Sequence, residues 1–328
     1  TQIRPLINYT KAIGGEITAA EMFNEPSHAS YGGAPKNYDA SWYAKDFAAF
    51  KSFVGTAMPG MKIMGPGSTG EGGIIPVGKS MSTDSIFMAI PKPDFEIFSY
   101  HFYGSVSKRC MGKLTPENAL TKDWLSKTEL GLKFYEDARD KYQPGAPIWL
   151  TETAEAACGG DPWAATYVDC FRYLEQLGRL AKKNVQVVMH NTLDAGEYAL
   201  LDQGTHEPRP NYWAALLWKR LMGTKVYDAG LPVNGLDIFV HNLKNSTNGM
   251  AVLIVNPTAA EHSITIPSNA EQFLLTADEP EAKKIKLNND LLKMKPDETL
   301  PDIRGKKIKA GELKLPPHSI LFLSFKNI

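Results

Sequence analysis

The sequence of 328 residues has few cysteines, no long apolar run and no excess of charge of either sign. Lys plus Arg and Asp plus Glu both number 36, so no overall field favours nucleic acid or a membrane surface as a partner. No apolar run approaches the roughly 20 residues that span a bilayer, so no membrane span is expected. The sequence has no Gly-x-Ser-x-Gly elbow and no clustered His/Cys spacing. Neither a serine hydrolase of that type nor a metal or other cofactor is therefore expected.

Three cysteines are too few to indicate a disulfide scaffold. Cys110 and Cys158 both fall in predicted loops, and the sequence leaves a bridge between them open. Cys170 lies in a helical-looking run, where a small core residue is expected. Residues 1–9 lack the charged-then-apolar layout of a signal peptide. The alternatives that a signal peptide was removed, or that it lies on sequence outside this chain, stay open.

Up to about residue 222 the chain alternates short apolar runs with longer helical stretches. After the first run, apolar residues recur at helical spacing and give one apolar face. They are Tyr43, Phe47, Phe50 and Val54. Strands alternating with helices predict parallel strands joined by crossover helices. The predicted strands are Ile17–Asn24, Met61–Pro66, Phe95–Phe102, Pro147–Glu152 and Val185–Asn191, and further helices are expected around Leu120–Tyr142, Trp163–Lys182 and Tyr212–Met222.

From about residue 224 the pattern changes to short strand-like runs separated by Asn, Gly, Pro and Ser. The runs are "DIFVHNL", "GMAVLIVNP", "HSITIP", "QFLLTA" and "SILFLSF", and their spacing predicts an antiparallel sandwich. The basic stretches "EAKKIKL" and "RGKKIKAGELK" are interpreted as solvated edges and turns, with a polyanion-binding patch as the alternative. The predicted domains are therefore residues 1–222 and residues 223–328.

Five strands do not close an eight-stranded (β/α)8 TIM barrel, and an open parallel sheet would expose surface that is normally buried. We therefore expect an α/β fold in which this chain supplies roughly strands 4–8 of a TIM barrel, followed by the β-sandwich. The other strands are expected on an N-terminal fragment or a second chain that completes the barrel.

Two of the predicted strands end in a glutamate. Asn24 and Glu25 end the first strand, and "IWLTET" puts Glu152 at the end of the fourth. Catalytic groups of such barrels lie at the C-terminal ends of strands, so the two carboxylates are expected to converge. A retaining glycosidase needs two carboxyl groups about 5–5.5 Å apart, one acting as acid/base and the other as nucleophile. Pro26 is expected to stop the strand and to bias Glu25 toward an extended backbone.

The segments "AEMFNEP" and "PIWLTETAEAACGGD" resemble the acid/base and nucleophile strands of clan A glycoside hydrolases. They are most similar to glycoside hydrolase family 79, which contains heparanases, leech-type hyaluronidases and microbial β-glucuronidases. The resemblance continues through "VVMHNTLDAGEYALLD", "PNYWAALLWKRLMGTKVY" and "LNNDLLKMKPDETLP", and so covers nearly the whole chain. It implies that Glu25 is the acid/base and Glu152 the nucleophile, with Asn24 contacting the sugar 2-hydroxyl.

The resemblance also implies a site for the glucuronate carboxylate. Gly159 and Gly160 match a glycine pair that offers backbone N–H groups to this carboxylate, and Tyr198 matches a tyrosine that hydrogen-bonds it. His101 and Tyr103 match the strand-end pair that flanks the nucleophile. Without the family, the glycines are equally well interpreted as a turn, Tyr198 as a structural tyrosine and His101 as a core histidine.

Glu21 shares the strand face of Glu25 by the period of two, so it is expected to point inward and to need a partner.

The predicted function is retaining hydrolysis of β-linked glucuronic acid in a secreted, periplasmic or lysosomal protein, with a glucuronate-containing glycan as substrate. Three alternatives stay open. They are an endo-acting enzyme similar to heparanases or hyaluronidases, a clan A enzyme of another sugar specificity, and a non-catalytic carbohydrate-binding protein on the same fold.

Overall fold

A computed structural model of the chain describes residues 3–75, 81–230 and 235–326. The chain forms two compact units that are each discontinuous in sequence. Unit 1 comprises the described residues within 1–103, 130–153 and 184–189, and unit 2 those within 104–129, 154–183 and 190–328. None of the helices in the described ranges is long and apolar enough to cross a bilayer.

The helices are α1 Ile3–Ala12, α2 Ala40–Ala57, α3 Thr83–Met88, α4 Lys122–Leu125, α5 Lys127–Tyr142, α6 Val168–Lys182 and α7 Pro210–Leu221. The strands of the first sheet are β1 Ala19–Glu21, β2 Lys62–Ser68, β3 Ile97–Tyr103, β4 Ile148–Ala154 and β5 Val187–His190. The later strands are β6 Met222–Tyr227, β7 Asp237–Leu243, β8 Met250–Asn256, β9 His262–Ile266, β10 Ala270–Thr276, β11 Lys286–Leu287, β12 Asp290–Leu291, β13 Lys306–Ile308, β14 Gly311–Leu315 and β15 Ser319–Phe325.

Unit 1 is built on a five-stranded parallel sheet in the order β1-β2-β3-β4-β5. β1 pairs in parallel with β2, and β2 pairs in parallel with β3. Every residue of β3 is buried, which fits a parallel sheet that is covered on both faces. The sequence prediction of parallel strands joined by helices is therefore confirmed. Closure into an eight-stranded barrel stays a prediction.

Helix α2 packs on this sheet through the apolar face that the sequence predicted. Tyr43, Phe47 and Val54 are buried, and the Phe47 ring lies edge-on to Phe95, with 4.8 Å between the ring centroids. The helix begins after Asp39, whose carboxylate accepts hydrogen bonds from two backbone N–H groups of the first turn. This cap satisfies donors that the helix cannot pair internally.

The segment after β1 departs from the sequence prediction. The strand ends at Glu21 rather than at Asn24, and Glu25 has φ 48° and ψ 63°, in the left-handed region. The expected extended backbone at Glu25 is therefore wrong. After β1 the chain bends through residues 22–25 into a short 3-10 helix, Pro26–His28, and the Glu25 carbonyl accepts the N–H of His28 at 2.7 Å. A left-handed non-glycine residue is strained and is retained where the surrounding structure requires it.

Unit 2 contains an antiparallel sheet in the order β12-β11-β10-β15-β8-β7-β6, with β13 also paired to β10. All five strand-like runs of the C-terminal sequence form strands: four lie in this sheet, and "HSITIP" forms β9, which pairs with β14 in a separate two-stranded antiparallel sheet. Alternate residues of β15 face opposite sides. Phe322 lies in a buried cluster with residues of α6 and α7, whereas Leu321 and Leu323 lie in a cluster with residues of β9 and β14. The antiparallel sheet is confirmed, while the sandwich and the domain boundary at residues 222–223 stay predictions.

Candidate active site

In unit 1, a buried histidine lies among three carboxylates at the ends of parallel strands. His101 is on β3 and is only 2% exposed. Its Nδ1 lies 3.1 Å from Glu25 Oε1 and 3.8 Å from Glu152 Oε2, and its Nε2 lies 3.3 Å from Glu21 Oε2. The carboxylates keep 16%, 20% and 28% side-chain exposure for Glu21, Glu25 and Glu152, so they are accessible from one side. Residues from β1, β3, β4 and the segment after β1 thus form one cluster.

The histidine of this cluster is positively charged at neutral pH. Burial disfavours the imidazolium, but hydrogen bonds to Glu21 and Glu25 and the negative charges of Glu21 and Glu152 outweigh it and raise the pKa of His101 to about 10. Only the protonated ring has a donor on both nitrogens, and both nitrogens face carboxylate oxygens. One positive charge therefore lies among the three carboxyl groups of the cluster.

Glu21 is the inward carboxylate that was expected to need a partner, and His101 and Thr151 are partners that it has. Besides His101, the Thr151 hydroxyl donates a hydrogen bond to Glu21 Oε1 at 2.6 Å. Burial opposes the charged form of Glu21, but the contacts with His101 outweigh it and hold the pKa of Glu21 below its usual range. Gly67 has φ +68°, and a Cβ there would lie 3.0 Å from the Glu21 carboxyl carbon, so a larger residue would press on this carboxylate.

Glu152 is oriented by a phenol. The hydroxyl of Tyr103, a buried residue at the end of β3, donates a hydrogen bond to Glu152 Oε1 at 2.6 Å. A ligand atom of Glu25 and one of Glu152 lie within 4.8 Å of each other. Asn24 precedes Glu25 and is exposed. Within the described residues its side chain forms no hydrogen bond to a carboxylate of the cluster.

Glu25, His101 and Glu152 also have the composition of a metal site, since one ligand atom from each lies within 4.8 Å of the others. A histidine ligates a metal through a neutral nitrogen. Because the pKa of His101 is raised to about 10, the ring holds a proton at neutral pH instead.

In unit 2, the structure brings Gly159, Gly160 and Tyr198 together. A Cβ on Gly160 would lie 2.7 Å from a Tyr198 ring carbon, so the backbone approaches the ring as only glycine permits. Cys158, Gly159 and Gly160 have φ of 67°, 85° and 78°. Across the described ranges, no hydrogen bond uses the N–H of either glycine. Successive backbone N–H groups in turn conformations of this kind form anion-binding concavities.

The glycine pair is joined to the segment after β3 by a disulfide between Cys110 and Cys158, the bridge that the sequence left open. Cys170 is free and fully buried, as its helical position predicted. Sequence reasoning missed Thr151, which donates to Glu21, and Arg109, whose guanidinium lies beside Gly159. Neither had a signal in the sequence, because both contacts join distant segments.

A further residue that sequence reasoning missed is Glu155, which has no exposed surface. Its Oε2 accepts the N–H of Asp161 at 3.0 Å, and this bond closes the loop that carries the glycine pair. Burial, and then the charge of Asp169, raise the pKa of Glu155 to about 8. The only sequence signal was an acidic residue inside an alanine-rich run.

Parallel strands with converging carboxylates at their ends are the arrangement of a clan A glycoside hydrolase. No protein-family model matches the chain. Mouse heparanase is 27% identical over 345 residues, covering 98% of this chain and 62% of that protein. Baicalin-β-D-glucuronidase from Scutellaria baicalensis is 32% identical over 195 residues, covering 55% of this chain and 37% of that protein. Human inactive heparanase-2 is 32% identical over 215 residues, covering 57% of this chain and 36% of that protein.

The chain thus spans about one to two thirds of the length of these relatives. Among solved structures, a 4-O-α-L-rhamnosyl-β-D-glucuronidase from Fusarium oxysporum has a similar fold, with a TM-score of 0.66 at 13% identity, covering 96% of this chain and 72% of that one. These matches confirm the resemblance to glycoside hydrolase family 79, the family of the heparanases and of the plant glucuronidase.

Proposed function

We propose that the protein is a retaining glycoside hydrolase that releases β-linked glucuronic acid from glycans. The carboxylates of Glu25 and Glu152, with ligand atoms within 4.8 Å of each other at the ends of parallel strands, carry this proposal. A separation of this size suits direct attack by one carboxylate, whereas an inverting enzyme needs about 6.5–9.5 Å to accommodate a water molecule. The similarity to heparanase and to baicalin-β-D-glucuronidase supports the choice of sugar.

In the first step, Glu25 protonates the leaving oxygen while Glu152 attacks the anomeric carbon. The glycosidic C–O bond breaks, and an ester between the sugar and Glu152 forms. Glu25 Oε1 faces the His101 donor, so the transferred proton is carried by Oε2. Tyr103 holds Glu152 Oε1, which leaves Oε2 as the attacking atom. In the second step, Glu25 takes a proton from water, and the resulting hydroxyl attacks the sugar and releases Glu152.

Recognition of the sugar is proposed for four further groups. The N–H groups of Gly159 and Gly160 and the hydroxyl of Tyr198 bind the glucuronate carboxylate, and Asn24 binds the 2-hydroxyl. The two glycine N–H groups, which have no acceptor in the part of the chain that the structure describes, are well suited to an anion. An unchanged rate on the sugar that lacks the 6-carboxylate would point instead to another clan A specificity, such as a glucosidase or xylosidase.

The test is the substitution Glu152→Gln. It should lower turnover of an aryl β-glucuronide by more than about a thousandfold, because the nucleophile is lost. It should also abolish covalent labelling by a glucuronate-configured cyclophellitol probe. The matched control is Glu16→Gln, at an exposed glutamate of unit 1. Full activity and labelling in the Glu152 variant would refute the assignment.

Human inactive heparanase-2 is among the similar proteins, so a non-catalytic glycan-binding protein is the second candidate. Glycan binding by the wild type, with no hydrolysis after long incubation, would favour it. Sizing the products from heparan, hyaluronan and an aryl glucuronide would separate endo from exo action.

We further propose that strands from outside this chain complete the parallel sheet of unit 1 into a barrel. The sheet has two edge strands, β1 and β5, and an open parallel sheet leaves buried-type surface uncovered. An intact-mass measurement of purified active protein should then show a second polypeptide, or a longer one. The Cys110–Cys158 disulfide supports an oxidising compartment for this protein.

A further inference from the structure

Arg109 lies against the glycine pair of unit 2. A Cβ on Gly159 would be 2.9 Å from Arg109 Nη1, so the guanidinium occupies the space where a side chain would begin. Arg109 is exposed. Throughout the described ranges, no acidic side chain forms an ion pair with it. A guanidinium therefore lies beside two backbone N–H groups, and none of these three donor groups has an acceptor or an anionic partner among the described residues.

The segment that carries Arg109 is fixed to the glycine loop by several bonds. The N–H of Ser107 donates to the carbonyl of Ala157 at 2.9 Å, and the Ser107 hydroxyl donates to the carbonyl of Cys158 at 3.1 Å. The N–H of Lys108 donates to Asp161 Oδ1 at 2.9 Å. The disulfide then joins the residue after Arg109 to the residue before Gly159.

This arrangement fixes the backbone from which the long side chain of Arg109 extends. An exposed arginine loses considerable rotamer entropy when it is held in one place, and this loss weakens most surface ion pairs. Because the backbone on both sides of Arg109 is already anchored, binding an anion requires ordering of the side chain alone and not of the loop as well. The planar guanidinium also matches a carboxylate with two parallel hydrogen bonds.

We propose that Arg109, positioned by the Cys110–Cys158 disulfide, is a specificity residue that selects the carboxylate of the bound sugar. The inference rests on the proposed function for its sugar and adds a charged contact to the neutral donors named there. Because the guanidinium is permanently charged, anion selection should depend on salt concentration, which neutral N–H donors alone would not produce.

The first experiment compares wild type, Arg109→Gln and Arg109→Lys on an aryl β-glucuronide and the matching aryl β-glucoside. Arg109→Gln should raise KM for the glucuronide about three- to tenfold, with little change in kcat and none on the glucoside. Arg109→Lys keeps the charge and should recover part of the loss. Raising salt from about 0.05 M to about 0.5 M should weaken glucuronide binding in wild type and much less in Arg109→Gln.

The second experiment tests the disulfide. The paired substitution Cys110→Ser with Cys158→Ser should raise KM for the glucuronide. Arg109→Gln should then have a smaller effect in that background than in wild type, because the two changes act through one contact. Full additivity would overturn the positioning role of the disulfide. Melting temperatures of all variants show whether folding is retained.

Calorimetric titration of free glucuronic acid separates failure of this inference from failure of the proposed function. If wild type binds glucuronic acid more tightly than Arg109→Gln does, the inference stands even when no glucuronide is hydrolysed. If both proteins bind it equally, at low and high salt, Arg109 does not select the carboxylate. An effect seen only with sulfated oligosaccharides, and absent with the aryl glucuronide, also overturns the assignment, since the contact would then be to sulfate.

Discussion

Glu155 is the buried carboxyl that closes the loop around the glycine pair, and its replacement by glutamine should stabilise the protein at neutral and alkaline pH. The side chain has no exposed surface, and burial together with the charge of Asp169 raises its pKa to about 8 from an ordinary 4.5. The N–H of Asp161 donates to Glu155 Oε2. A glutamine carbonyl can accept the same bond, so the loop contact is kept while the ionisation is removed.

The sign of this stability change follows from how many protons the folded and unfolded proteins bind. A carboxyl with a raised folded-state pKa holds more protons in the folded than in the unfolded protein, so the free energy of unfolding falls as pH rises from about 4.5 to about 8. One pKa unit corresponds to about 1.4 kcal/mol. The free energy of unfolding that Glu155 removes is therefore roughly 1 kcal/mol at pH 5, roughly 3 kcal/mol at pH 7 and roughly 4 kcal/mol at pH 8. Glutamine does not titrate and escapes this loss.

Urea unfolding of wild type and Glu155→Gln at about pH 5 and about pH 8 measures the effect. The stability difference should favour the variant and should be larger at the higher pH by roughly 3 kcal/mol. The control is Glu312→Gln, at an exposed glutamate of β14, where little difference is expected. A difference that is the same at both pH values would refute the reasoning, as would a variant that is less stable at pH 8.

Two further predictions concern the cluster around His101. Glu21→Gln removes one of its carboxylate partners and should lower the pKa of His101 from about 10 by about one to three pH units, which NMR titration of the imidazole ring would measure. The stabilisation that comes from this raised pKa is complete below about pH 6.5 and is lost as the pH rises through about 10, so the variant should lose it at a lower pH. An unchanged ring titration and an unchanged stability profile would contradict this. Tyr103→Phe removes the hydrogen bond to Glu152 and should lower kcat about ten- to hundredfold at similar KM. An unchanged kcat would show that the phenol does not orient the nucleophile.

Much of the fold could be predicted from the sequence because it depends on local patterns. The five parallel strands were recognised as short apolar runs between helical stretches, and α2 by its apolar face. The antiparallel strands of the C-terminal part followed from runs bounded by turn residues. Each pattern is set by which residues must be buried on a helix or strand, and this needs no knowledge of distant contacts. The bounds of β1 were the main error, since a bend after Glu21 depends on what the chain meets there.

The candidate site was predicted in part. The sequence identified Glu25 and Glu152 because each follows an apolar strand, and the strand ends of a parallel sheet share one edge. It did not predict the left-handed backbone of Glu25. The preference set by a following proline is local and weak, and the turn into the 3-10 helix overrides it.

By itself, the sequence determined which side chains are available, in which order, and on which strands. Only the tertiary structure decided how they act together. It put His101 between Glu21 and Glu25, and it brought Arg109 beside Gly159 through a disulfide. The physical reason is that charge interactions and hydrogen bonds act over a few ångströms in space, whatever the separation in sequence. A pKa of about 10 for a histidine is a property of the folded cluster, and no single segment of the chain contains it.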